Sequence, residues 1–137
     1  MEFNQNIFFD GQIYDAYSFV NDLLKLAKSE IVLIDNYIDD TVFTLFSKYP
    51  NINFIIYTNN ISKQLKLDFE KYSKQYKNIA LKTFKSSHDR FLIIDKKEIY
   101  HLGASLKDLG KKWFAFSKMS LNSLNLDDIL NNEGFKF

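Results

Sequence analysis

The 137-residue sequence contains no cysteine, one proline, four glycines and two histidines. Without cysteine the chain forms no disulfide, offers no thiolate nucleophile and builds no cysteine-based zinc site. Two histidines are too few for an all-histidine metal centre. The absence of cysteine fits a reducing compartment, so we predict a cytoplasmic protein.

Long apolar runs are also missing from the sequence. No run approaches the roughly 20 residues that a membrane-spanning helix needs. Residues 1–6 lack the basic and apolar stretches of a secretory signal. No linker rich in proline or glycine, repeat or low-complexity block interrupts the chain. We therefore predict one domain over residues 1–137, with no membrane span.

Apolar side chains and an uneven charge distribution are what the sequence does contain. Apolar residues make up 46% of the chain, with 14 Phe and 8 Tyr, which is enough for a bulky aromatic core. Residues 1–81 carry a net charge of −2, whereas residues 82–118 hold nine Lys/Arg against four Asp/Glu, a net charge of +5. This basic segment indicates an anionic ligand, and a solvated lysine-rich surface explains it equally well.

Apolar periodicity predicts helices alternating with strands up to residue 84. The predicted helices are Asp15–Lys28, Thr41–Tyr49 and Ile61–Tyr76, and the predicted strands are Ile31–Ile34, Ile52–Thr58 and Ile79–Phe84. Such alternation predicts an α/β layered domain with a mixed, mostly parallel β-sheet flanked by helices.

The second half of the chain predicts a β-hairpin. Arg90–Asp95 and Glu98–Leu102 read as strands separated by the two residues Lys96 and Lys97. A further strand at Trp113–Phe116 and a terminal helix at Leu124–Asn131 follow. With a two-residue turn, Asp95 pairs with Glu98. Counting back along both strands, Arg90 then faces Gly103 and His88 faces Ser105.

The segment His88–Asp95 has the form H-x-R-x4-D. It resembles the H-x-K-x4-D signature of the phospholipase D superfamily, with arginine in the place of lysine. Gly103-Ala104-Ser105 stands where that family has a G-S-x-N segment, and Ile31–Tyr37 resembles the family's first core strand. The resemblance implies a phospholipase D-like layered fold and a metal-independent phosphodiesterase. Because family members with one motif generally dimerise, it also implies a homodimer.

The predicted site residues suit phosphoryl chemistry. His88 can attack phosphorus and give a phosphohistidine, while Arg90 holds the phosphate oxygens in a fixed fork. Ser105 can donate to the same phosphate or orient His88, and Gly103 leaves room for it. Asp95 lies on the order of 23 Å along the strand from His88, so we expect it to be structural or to contact another segment. The chemistry needs no metal or cofactor.

Candidate substrate-binding residues flank this motif. Asn36 and Tyr37 follow a predicted strand, where α/β folds commonly bind ligands, although simple loop capping explains them equally well. Lys107, Lys111 and Lys112 can guide a nucleic-acid backbone electrostatically.

Three functions fit these residues. The leading prediction is a metal-independent, homodimeric nuclease that cuts DNA or RNA through phosphohistidine, and the other two are its alternatives. The second is a phospholipase D-like domain that binds nucleic acid without turnover. The third is a hydrolase of phospholipids or small phosphodiesters. We favour nucleic acid over lipid because the sequence has no evident membrane-binding helix and carries a basic segment.

Overall fold

Seven β-strands form one sheet in the computed structural model, which describes residues 5–8, 13–84, 90–103, 105–108 and 114–119. The strands are β1 (Gln5–Phe8), β2 (Glu30–Ile34), β3 (Asn53–Thr58), β4 (Ile79–Thr83), β5 (Arg90–Ile94), β6 (Glu98–Leu102) and β7 (Phe114–Met119). The helices are α1 (Ile13–Lys25), α2 (Asp40–Phe46) and α3 (Lys63–Ser73), and a short 3₁₀ turn covers Leu106–Asp108. The predicted helix Leu124–Asn131 lies outside the described residues.

The strand order is β1-β7-β6-β5-β2-β3-β4. The pairs β2–β3 and β3–β4 are parallel, and the four other neighbouring pairs are antiparallel. An α/β fold with a mixed sheet and a hairpin is therefore confirmed, but the expectation of a mostly parallel sheet is wrong. The parallel pairs are confined to β2, β3 and β4. β5 runs opposite to β2, and β6 returns from β5 through a tight turn, which only antiparallel strands allow.

All three helices contribute to the main core on one face of the sheet. Side chains alternate across β2, so Ile31 and Leu33 join this core while Val32 and Ile34 belong to a smaller cluster on the opposite face. Aromatic rings fill much of the main core, as the composition predicts. Phe46 of α2 stacks on Phe54 of β3 with ring centroids 4.1 Å apart, and Phe19 of α1 stacks on Phe116 of β7 at 3.8 Å.

Side-chain caps fix where two helices begin. The Asp39 carboxylate accepts from the N–H of Thr41 at the start of α2, and the Ser62 hydroxyl accepts from the N–H of Leu65 at the start of α3. Both caps satisfy an N–H that has no partner within the helix itself. Within the described part of the chain, no helix is long and apolar enough to cross a membrane.

The β5–β6 hairpin has a three-residue turn instead of the predicted two-residue one. Ile94 pairs with Glu98 and Arg90 pairs with Leu102, so the predicted pairing of Arg90 with Gly103 is wrong by one residue. Asp95 and Lys96 take left-handed backbone angles, with φ of 52° and 58°. Asp tolerates this conformation better than most residues, and the turn consists of Asp95, Lys96 and Lys97 instead of the lysine pair alone.

Asp95 fastens this turn to the start of β2. Its carboxylate accepts from the backbone N–H groups of Lys28, Ser29 and Glu30, each at 2.9 Å, and from the Ser29 hydroxyl at 3.0 Å. Burial raises the pKa of Asp95, but these hydrogen bonds outweigh it and lower the pKa to about 2. Asp95 therefore contacts another segment, as expected. This contact lies where β2 begins, at the edge of the sheet away from Asp35.

Candidate functional site

The end of β2, the start of β5 and the end of β6 meet at one edge of the sheet. Ile34 pairs with Phe91, so Asp35 and Arg90 follow as the next positions of that antiparallel ladder. Arg90 pairs with Leu102, which places Gly103 next to it along β6. We call the group formed by Asp35, Arg90, Gly103 and Ser105 the Asp35 cluster.

Asp35 is the fully buried centre of this cluster, with 0% of its surface exposed. One carboxylate oxygen accepts from the Ser105 hydroxyl at 2.8 Å and from the N–H of Leu106 at 3.0 Å. The other accepts from the N–H of Tyr37 at 3.0 Å. Burial raises the pKa of Asp35 above its ordinary value, although these three hydrogen bonds and the positive charge of Arg90 act to lower it. The carboxyl thus ties β2 to the segment that follows β6.

Arg90 is directed into the protein as well as toward the edge. Its Nη2 donates to the carbonyl oxygen of Gly103 at 3.1 Å, and its charge acts on the Asp35 carboxyl. Its Nε is buried and has no hydrogen-bond partner among the described residues. Part of the guanidinium fork that was expected to hold a phosphate is therefore used within the chain.

Ser105 is buried, with 3% of its surface exposed. A hydroxyl carries one proton, and its shortest contact is the 2.8 Å hydrogen bond to Asp35. A longer contact of 3.3 Å reaches the carbonyl oxygen of Tyr37. The expected hydrogen bond from Ser105 to a phosphate would compete with this buried carboxylate. His88, the expected neighbour of Ser105, lies outside the described residues.

Gly103 is small because β7 comes close to it. Its N–H donates to the carbonyl of Ala115 at 2.7 Å, and a Cβ added at this position would meet the Cβ of Ala115 at 3.1 Å and its oxygen at 3.2 Å. The glycine was expected to leave room for a phosphate. In the structure its missing side chain instead allows the close approach of two strands.

The remaining predicted binding residues divide between this edge and the undescribed residues. Asn36 is half-buried and Tyr37 is 59% exposed, both directly after Asp35, and Lys107 is half-buried in the turn after Ser105. Lys111 and Lys112 lie outside the described residues. Among the described residues, no group of three or more His, Cys, Asp or Glu side chains is placed to hold a metal ion.

The positive charge of residues 82–118 is not gathered in one place. Lys96 and Lys97 are exposed in the hairpin turn, at the opposite edge of the sheet from Arg90. Lys118 forms an ion pair with Glu98 at 3.5 Å. Lys96 and Lys97 lie far from Arg90 because a hairpin places its turn at the opposite edge of the sheet, and Lys118 is paired with Glu98. These three lysines therefore add no basic surface around the predicted site.

Asp35 is a site residue that was not predicted from the sequence. Only Asn36 and Tyr37, which follow the same strand, were predicted to bind substrate, and Asp35 was named only as part of that segment. The available signal was an acidic residue directly after four consecutive apolar residues, Ile31–Ile34. An acid in that position is placed at the end of a buried strand and requires hydrogen-bond donors.

Comparison with known proteins identifies a similar fold and no family. No family model matches the sequence, and no curated protein matches it. Among solved structures, the fold is similar to that of TrmBL2, an archaeal chromatin protein whose structure shows a novel mode of DNA binding, with a TM-score of 0.63 and 16% identity. The likeness covers 99% of this chain and 51% of that one, so this chain spans about half the length of its neighbour. At such low identity the likeness shows the fold alone.

Proposed function

We propose that this chain is a phospholipase D-like domain that binds nucleic acid without hydrolysing it. The observation that carries the proposal is the internal use of two of the three expected catalytic residues. Ser105 donates to buried Asp35, and Arg90 donates to the Gly103 carbonyl beside it. An arginine held in this way adds positive charge at this edge of the sheet. Fewer of its N–H groups remain to bind a phosphoryl group during its transfer.

Two further observations support nucleic acid as the ligand. The fold is similar over 99% of this chain to that of a chromatin protein described as binding DNA. Of the basic residues in segment 82–118, Arg90 and Lys107 lie at this edge of the sheet. Lysine contacts to phosphates supply most of the affinity in binding that does not depend on sequence.

Salt-dependent binding tests this proposal. Fluorescence anisotropy with labelled DNA and RNA should show binding that weakens steeply as salt rises. Replacing Lys111 and Lys112 together by Ala should weaken binding and reduce the salt slope by about 2, roughly 1 for each lost phosphate contact. The matched control replaces Lys63 and Lys66 of α3, which are exposed, and should change neither quantity as much. No binding at about 50 mM salt, or an equal loss in the control, would refute the proposal.

A metal-independent phosphodiesterase is the second candidate. It is favoured by the Arg90 Nε, a buried donor without a partner among the described residues, because a phosphate oxygen that reached it would satisfy this N–H group. In such a phosphodiesterase His88 is the nucleophile, and a homodimer supplies a second His88 as general acid.

Hydrolysis assays separate the two candidates. The enzyme would turn over a chromogenic phosphodiester in the presence of EDTA and lose that activity in His88→Ala. Arg90→Lys introduces the lysine typical of the superfamily and tests whether arginine limits turnover. For the binding domain we expect no hydrolysis by the unmodified chain or by Arg90→Lys. Nucleic acid, phospholipid and small phosphodiesters should be compared, because activity on lipid alone would favour a lipid hydrolase instead.

A further inference from the structure

Tyr37 stands out because it combines a solvent-exposed ring with a fixed backbone. With 59% of its surface exposed, it is the most exposed of the large apolar side chains among the described residues; Tyr17, Leu26 and Leu67 range from 42% to 53%. Single exposed aromatic residues are normal on protein surfaces, so exposure alone assigns no role to Tyr37. Its place directly after Asp35 makes the ring accessible to a ligand bound at this edge of the sheet.

The Asp35 cluster holds the backbone of Tyr37 mainly through one hydrogen bond. The N–H of Tyr37 donates to Asp35 at 3.0 Å, and its carbonyl lies 3.3 Å from the Ser105 hydroxyl, whose single proton is directed to Asp35. Both partners are buried, with 0% and 3% of their surfaces exposed. The ring is therefore mounted on a segment that loses little further freedom when a ligand stacks on it, and such preorganisation favours binding.

Positive charge belongs to the same cluster that holds the backbone of Tyr37. Arg90 is the next ladder position opposite Asp35, whose carboxylate accepts from the N–H of Tyr37. An exposed aromatic ring and a guanidinium at the same edge of the sheet suit a ligand that has a flat apolar face and a phosphate close together. A nucleotide in a single strand has both, whereas bases in a duplex already stack on each other.

We infer that Tyr37 stacks on an unpaired base and that the nucleic acid bound at this edge is single-stranded. The inference rests on the proposed nucleic-acid binding and adds the strandedness of the ligand. Asp35 and Ser105 act in it as positioning residues, because they hold the backbone that carries the ring.

The test compares one labelled oligonucleotide as a single strand and in a duplex. The unmodified chain should bind the single strand more tightly. Tyr37→Ala should weaken single-strand binding about fivefold to a hundredfold, the range that loss of one stacked aromatic gives, and leave duplex binding almost unchanged. Tyr37→Phe keeps the ring and should bind like the unmodified chain. The matched control is Tyr17→Ala on α1, which removes a tyrosine that is 42% exposed and should have no effect.

Each other outcome overturns the inference. Equal binding of single strand and duplex by the unmodified chain contradicts it, as does a Tyr37→Ala variant that binds the single strand normally. If Tyr37→Ala melts at a lower temperature than the unmodified chain, single-strand binding by Tyr37→Phe tests the inference instead. Weak binding by Tyr37→Phe would exclude stacking, because that variant keeps the ring. In these cases salt-dependent binding still supports the proposed function. If the chain binds neither the single strand nor the duplex, both this inference and the proposed function are overturned.

Discussion

Two carboxylates, Asp35 and Asp95, respond to pH in opposite directions. Burial raises the pKa of Asp35, so ionising it costs stability, which falls as pH rises through that raised pKa. Hydrogen bonds lower the pKa of Asp95 to about 2. Its contribution is present above the ordinary pKa and is lost as pH falls toward 2.

The Ser105→Ala substitution tests the buried hydrogen bond at Asp35. The carboxylate would lose its shortest partner, at 2.8 Å, so we expect the free energy of unfolding to fall by about 1–3 kcal/mol near neutral pH. The lost hydrogen bond is one that lowers the pKa of Asp35. Its removal raises that pKa further, and the loss of stability should shrink as the pH falls and the carboxyl becomes neutral.

Urea unfolding from about pH 4 to about pH 8 measures this effect. Ser73→Ala serves as the control, since its hydroxyl donates to the Glu70 carbonyl on the surface of α3 and should change stability by less than about 0.5 kcal/mol. An equal loss in both variants at every pH would contradict the role given to Asp35.

The residues of the site were only partly predictable. Arg90, Gly103 and Ser105 lie at one edge of the sheet because a hairpin brings its two strands together. Their proximity could be predicted from the spacing of the motif alone. The partner of Ser105 could not be predicted in the same way. Asp35 is 70 residues away along the chain, and its contact depends on β5 pairing with β2, which no local pattern specifies.

At the scale of elements, the hairpin turn depends on Asp95 in two ways. Its backbone has a φ of 52°, and its side chain anchors the start of β2. Asp95→Asn separates these roles, because asparagine also tolerates left-handed angles. It retains one acceptor oxygen, but the amide nitrogen faces an N–H group.

We expect Asp95→Asn to lower the free energy of unfolding by about 1 kcal/mol at neutral pH. The difference from the unmodified chain should disappear as the pH approaches about 2, where Asp95 itself becomes protonated. Urea unfolding at several pH values checks this. Asp68→Asn is the control, because this carboxylate accepts from Gln64 on the surface of α3. A constant difference down to the lowest pH would show that charge is not the cause.

Strands made of consecutive apolar residues were predictable, whereas connections and edges were not. Ile31–Ile34 and Phe91–Ile94 lie in the strands that the sequence indicated. The turn was misplaced because Lys96–Lys97 was taken as its centre, while Asp95 makes long-range contacts that stabilise a different one. Strand β1 was missed because four residues at a sheet edge carry little periodic signal.

At the scale of the whole molecule, the two candidate functions differ in oligomeric state. A phosphodiesterase with one motif needs a second His88, so it should be a two-fold homodimer. A binding domain has no such requirement. Light scattering at high micromolar concentration distinguishes these cases, since a monomer would count heavily against the enzyme. A dimer that persists without hydrolytic activity would support binding by a paired domain.

The pairing of β1 with β7 has a consequence for the order in which the sheet assembles. Phe8 pairs with Phe114, so this contact closes a loop of more than one hundred residues, whereas the β5–β6 hairpin closes one of three. Closing a long loop costs more chain entropy and is compensated only after the intervening strands are in place. Strand β1 should therefore join last in folding and be the first to open. In native-state hydrogen exchange, the amides of Gln5–Phe8 should lose protection well before those of β2.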